Sequence, residues 1–149
     1  MSQAIAILSA ARTPMGGMMG SLSAVPAPEL GAVAIRAAIE RAGLNTDQLD
    51  EVIMGCVLGA GLGQAPARQA ALAAGVSQAT ASSTVNKVCG SAMMSGMMAG
   101  NALRAGQSKV IVAGGMESMS RAPYLIPQGR QGYRFGSAQM LDQMQYYGL

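Results

Sequence analysis

Val85-Asn86-Lys87-Val88-Cys89-Gly90-Ser91 runs directly into Ala92-Met93-Met94-Ser95-Gly96-Met97-Met98-Ala99-Gly100-Asn101-Ala102-Leu103, and the reading of these residues decides the fold. Ser82-Ser83-Thr84-Val85 upstream reads as a strand, and the spacing predicts a helix from Gly90 to Ala105, stopped at Gly106. From Gly90 to Leu103 no side chain is charged, and Arg104 is the first that is. A helix without a charged face is expected to be buried on all sides. Ala92, Gly96 and Gly100 recur every fourth residue and leave a smooth ridge for close backbone approach. Met93, Met94, Met97 and Met98 surround that ridge with flexible side chains suited to irregular gaps. The run is too short to span a membrane, and a strand follows it at once. About 150 residues rarely enclose a helix completely, so a second layer of protein is implied.

Outward from this helix, strand-like and helical stretches alternate. Ala4 to Leu8 reads as a buried strand ended by Arg12-Thr13-Pro14, and Met15 to Ser23 as a Gly- and Ser-rich loop. Pro28 and Glu29 open a helix in which Leu30, Val33, Ala34, Ala37 and Arg41 recur at helical spacing, with Gly43 as its stop. Glu51 to Val57 is the next strand, Ala65 to Ala74 a short helix closed by Gly75, and Lys109 to Ala113 the last strand. Such alternation predicts an α/β fold, with a mostly parallel sheet and helices on both faces.

Composition excludes several classes. Half of the 149 residues are hydrophobic and 11% are charged, which is incompatible with intrinsic disorder or a solvated coiled coil. Met1-Ser2-Gln3 offers no basic region before an apolar stretch, so no secretory signal is expected. Two cysteines make no disulfide framework and fit a reducing, cytoplasmic compartment. Charge divides unevenly: seven basic residues against six acids up to Ser120 (+1), then three arginines against Asp142 (+2). No basic stripe is interleaved with aromatics, so nucleic acid is not an expected partner. All five aromatics (Tyr124, Tyr133, Phe135, Tyr146 and Tyr147) follow Ser120, and this shift suggests a boundary there. A core is expected over 1–120, with 121–149 beginning an incomplete second unit.

The chemistry centres on Cys89. A thiol at a helix N-terminus meets unpaired N–H groups and the positive end of the dipole, which favour a thiolate and an oxyanion alike. Spacing alone leaves a reactive thiol and a small core residue both open. Cys56 lies inside an apolar strand and reads as core. There is no histidine, so these residues do not supply the commonest general base. Gly59 to Gln69 is a loop entering a helix but lacks the Gly-Lys-Ser/Thr ending of a phosphate loop. Gly114-Gly115-Met116-Glu117-Ser118-Met119-Ser120 follows a strand end, a common place for functional loops.

Taken together, Ser9 to Pro14, Gly61 to Gln64 with Pro66 to Ala70, Asn86 to Ser91, and Gly114 to Ser120 resemble the N-terminal part of the thiolase family, in the family's order. The nearest likeness is to members acting as acetyl-CoA acetyltransferases, with thiolases of broader chain length next. A carrier-dependent ketoacyl synthase fits Asn86 to Ser91 poorly. The resemblance implies that Cys89 is the nucleophile taking the acyl group from a CoA thioester, and that its backbone N–H is an oxyanion donor. It implies acyl-CoA as substrate, with no separate cofactor or metal, and a homo-oligomeric working form with Gln64 to Arg68 in the dimer contact. It implies also a cysteine-bearing helix in a middle layer, a segment after Arg121 that begins to cover CoA, and Leu149 along the pantetheine arm.

Four positions depart from the pattern: Ala92 replaces a usual glycine, Met94 a frequent lysine, and Ser137 and Gln143 stand where many members carry histidine. The family's catalytic histidine and second cysteine belong to its C-terminal half and have no counterpart here. The expectation is therefore an N-terminal portion of an acyltransferase that does not turn over alone. A non-catalytic fragment or dimerisation module is the alternative.

Overall fold

The computed structural model describes residues 4–147. It contains helix α1 (Ala27–Ala42), strand β1 (Glu51–Gly55), helix α2 (Pro66–Ala73), strand β2 (Ala81–Val85), helix α3 (Ser91–Arg104) and strand β3 (Ile111–Gly115). A short two-stranded ladder of β4 (Tyr124–Leu125) and β5 (Leu141–Asp142) follows, leading into helix α4 (Gln143–Tyr147). The main sheet has the order β2-β1-β3 and is parallel throughout, with Gly55 opposite Val85 on one side and Gly115 on the other. All three strands thus end at one level.

Alternation along β1 assigns its two faces. Val52, Met54 and Cys56 join Ala32, Ile35 and Ile39 of α1 and Ala67, Ala70 and Ala71 of α2 in one core, with Met116 beyond β3. Helix α3 covers the opposite face through Ser91, Ser95 and Ala99, its buried residues. The Ser95 hydroxyl donates to the Gly114 carbonyl at 2.8 Å, tying the helix to β3. The predicted arrangement of helices on both faces of a parallel sheet is therefore present.

Burial of α3 on all sides is not. Met93 is 75% and Met97 57% exposed, so the helix is covered along one face only, and Gly96 of the small-residue ridge is exposed as well. Three strands supply one covering surface, and these residues offer no second layer to provide another.

The N-terminal apolar run differs more sharply. Residues 4–14 adopt no regular structure and join no strand among the described residues; Ile7 is 89% exposed. An apolar run records a tendency toward burial, whereas a strand also needs a neighbour with free ladder groups. The segment instead runs beside α1, where Ser9 Oγ donates to the Ala38 carbonyl at 2.6 Å and Arg41 donates to the Ala10 carbonyl at 2.8 Å.

In α1 the buried side is rotated from the predicted one. It carries Ala27, Gly31, Ala32, Ile35 and Ile39, leaving Val33 exposed. A Cβ on Gly31 would meet the Met116 sulfur at 2.6 Å and the Ala70 methyl at 3.2 Å, so contact with α2 and the β3 terminus sets the rotation. Gly43 ends the helix in the left-handed region (φ 66°), as its position predicts.

Carboxylates set two of the strand boundaries that shifted. The Lys109 and Val110 N–H groups bond the Asp50 carboxylate at 2.6 and 2.9 Å, so β3 begins at Ile111 instead of Lys109. The Val57 and Leu58 N–H groups bond Glu117, and β1 stops at Gly55 instead of Val57.

Two outcomes are expected. A Cβ on Gly55 would lie 2.6 Å from the Ala92 nitrogen, so Gly55→Ala should cost about 1–3 kcal/mol, read as a lower Tm. The Val110 and Lys109 N–H groups hold the Asp50 carboxyl below the usual carboxylate range. A depressed pKa stabilises the folded state above the unfolded titration range and ceases to do so as pH falls through the folded value. Asp50→Asn should therefore lower Tm at neutral pH, and the gap to the parent should begin to narrow below about pH 3.9, where an unfolded Asp protonates, and vanish once pH is below the folded value. A gap independent of pH would contradict this.

Candidate active site

Cys89 lies on the turn between β2 and α3, two residues before the first helical residue. It is exposed and its sulfur is free. Three local features shape the turn. Val88 holds a left-handed φ of 48°, a strained value for a β-branched residue. Its N–H bonds the Asn86 side-chain oxygen at 3.0 Å. The Ser91 hydroxyl accepts the Lys87 N–H at 2.8 Å and donates to the Val88 carbonyl at 2.6 Å, closing the turn across the cysteine. Asn86 and Ser91 thus present the thiol without touching it.

The tertiary fold brings the other walls. A cavity of about 320 Å³ opens where β1, β2 and β3 end, bounded by Gly55, Cys56, Cys89, Ala92, Gly115 and Glu117 among others. Carboxyl ends of parallel strands are the usual ligand crevice of open α/β sheets. The α3 backbone reaches this crevice because neither strand end carries a side chain: a Cβ on Gly115 would sit 2.7 Å from the Ala92 Cβ. Ala92, one of the departures from the family pattern, is accommodated against that glycine.

Cys56 is buried, as its strand position predicts, yet it borders the same cavity as Cys89. Burial and the neighbouring Glu117 carboxylate push its thiol up to about 12, which leaves almost no thiolate near neutrality. Glu117 accepts the Val57 N–H at 2.8 Å, the Leu58 N–H at 3.1 Å and the Cys56 S–H at 3.6 Å. Sequence reading marked the Gly114 to Ser120 loop without finding this clamp; the available signal was the one charge in an otherwise neutral loop.

The Gly59 to Gln69 loop is held by two of its own side chains, one bonding within it and one bonding the segment before β2. Gln69 Nε2 donates to the Leu62 and Gln64 carbonyls, each at 2.7 Å, and the Arg68 guanidinium donates to the Thr80 and Gln78 carbonyls, each at 2.6 Å. Of the other residues singled out, Ser137 is exposed, Gln143 is buried at the start of α4, and Leu149 lies outside the described residues. Among the described residues no three His, Cys, Asp or Glu side chains are grouped to hold a metal ion, and no helix is long and apolar enough to cross a membrane.

Comparison with known proteins agrees with this geometry. Residues 5–149 match the family model described as thiolase, N-terminal domain. Over 97% of its length the chain is 53% identical to an acetyl-CoA acetyltransferase of Cupriavidus necator, and over 96% it is 53% identical to one of Escherichia coli. It spans 37% and 36% of those two proteins, respectively. Among solved structures, the Acat5 thiolase of Ascaris suum in complex with coenzyme A superposes with a TM-score of 0.92 at 40% identity, across 96% of this chain and 37% of that one.

Brief, limiting iodoacetamide treatment of the folded protein should label Cys89 well ahead of Cys56, as mass spectrometry of the peptides would show. Equal labelling would mean that burial does not separate the two thiols.

Proposed function

The chain belongs to the thiolase family, and on that premise we propose that it carries the nucleophile for acyl transfer from a CoA thioester, with acetyl-CoA as the acyl donor. One observation carries the reading: Cys89 stands exposed on the stapled turn before α3, beside a cavity at the carboxyl ends of three parallel strands. The acetyl group is supported by the names of the relatives, which are acetyl-CoA acetyltransferases.

The chemistry follows from the positions. The Cys89 sulfur attacks the thioester carbonyl, the carbonyl oxygen takes the charge, and the CoA thiolate departs, leaving an acyl-cysteine. The Cys89 N–H is the proposed donor to that oxyanion. In the second half-reaction a carbanion from another acetyl-CoA attacks the acyl-cysteine, giving acetoacetyl-CoA and returning the thiol. That step removes a methyl proton. Cys89 carries the acyl group at that moment, Cys56 is held as a buried thiol, and the chain has no histidine. We assign the base to a part of the thiolase that these 149 residues do not include, as the family resemblance implies.

Residues 121–149 are proposed to begin the segment covering CoA. In support, 126–140 form an exposed excursion between β4 and β5 that carries Arg130 and Arg134. Exposed Met93 and Met97 support a further protein layer over α3, within a homo-oligomeric working form. Two free cysteines fit a reducing, cytoplasmic setting, and acyl-CoA chemistry fits fatty acid metabolism.

Incubation with acetyl-CoA should give an acetyl adduct at Cys89, detected by intact and peptide mass, and lost in Cys89→Ala. Sustained CoA release should stay near background, since each missing acid–base group costs about 10²- to 10⁴-fold. Absence of the adduct from folded protein would overturn the nucleophile assignment. Sustained turnover abolished by Cys89→Ala would reveal a base within the chain.

A further inference from the structure

Two thiols of opposite character border one cavity, and a single carboxylate touches only one of them. We propose that Glu117 adds to burial in keeping Cys56 unreactive: it pins the main chain beside Cys56 and accepts that thiol's S–H, leaving Cys89 as the cavity's nucleophile.

The geometry is specific. Glu117 Oε2 accepts the Val57 N–H at 2.8 Å, while Oε1 accepts both the Leu58 N–H at 3.1 Å and the Cys56 S–H at 3.6 Å. The carboxylate thus binds the residue after Cys56, the one after that, and the thiol itself. Ionising Cys56 would remove the proton it donates and set a thiolate against the carboxylate. Burial is the larger cause of the raised Cys56 thiol and Glu117 the second. Among the described residues, Cys56, Cys89 and Glu117 are the only ionisable ones bounding the cavity, and none of them is a cation that offsets the effect. Glu117 acts through Cys56 and the β1 terminus; it is a positioning residue.

The selectivity matters because a second thiolate in the cavity would compete for any electrophile admitted to Cys89. It is independent of what that electrophile is, and alkylation reads it without any acyl-CoA. Failure of this inference is therefore separate from failure of the acyl-transfer reading.

The experiment is the pH dependence of iodoacetamide labelling at each cysteine, by peptide mass spectrometry on the full chain, in the parent, Glu117→Gln and Glu117→Asp. In the parent, Cys56 should stay unreactive up to about pH 10 while Cys89 labels. Glu117→Gln should move the Cys56 midpoint down by a unit or more, raising its labelling about tenfold at fixed pH, and leave the Cys89 profile in place. Glu117→Asp, which keeps the charge, should hold the Cys56 midpoint high. A purely structural loosening would instead free Cys56 equally in both variants, and that result overturns the inference. So does an unshifted Cys56 midpoint in folded Glu117→Gln. A parent Cys56 midpoint near the ordinary thiol value of about 8.5 overturns it even if neither variant folds.

Discussion

Everything in this molecule depends on how closely the first turn of α3 approaches the ends of β1 and β3. A Cβ on Gly55 would fall 2.6 Å from the Ala92 nitrogen, and one on Gly115 would fall 2.7 Å from the Ala92 Cβ. Two glycines at the same level of adjacent strands let a helix start where side chains would normally stand. That approach puts the cysteine turn over the carboxyl ends of the sheet, and the cavity follows from it. Ser95, one turn further on, bonds the Gly114 carbonyl and keeps the helix from lifting away.

Two carboxylates complete the frame at opposite ends of the same strands. Asp50 accepts two N–H groups where β1 and β3 begin, and Glu117 accepts two where β1 ends. Each satisfies main-chain donors that would otherwise lack partners where the ladder stops. At the first end this shapes only the fold; at the second it also shapes the chemistry, because the same oxygen that holds Leu58 faces the Cys56 thiol.

The open face of α3 illustrates a limit of sequence patterning. Absence of charge from Gly90 to Leu103 shows that the helix avoids water, but not what covers it. Within this chain the sheet covers Ser91, Ser95 and Ala99 and leaves Met93 and Met97 exposed. The same holds for residues 4–8, apolar enough for a buried strand yet unpaired among the described residues.

The alternation of strands and helices, the helix stops at Gly43 and Gly106, the thiol before α3 and the core role of Cys56 were legible in the residues themselves, because each depends on neighbours a few positions away. The family resemblance was legible for a related reason: its motifs are short, contiguous strings. The rotation of α1, the strand boundaries moved by Asp50 and Glu117, and the meeting of Cys56 with Cys89 at one cavity were not legible. Those depend on groups dozens of positions apart, such as Val57 and Glu117, whose contact exists only once parallel pairing has set β1 beside β3 in register. Local patterning therefore marked the main helices, the parallel strands and the thiol that precedes α3. Tertiary structure decided what faces that thiol, because distance along the chain says nothing of distance across a sheet.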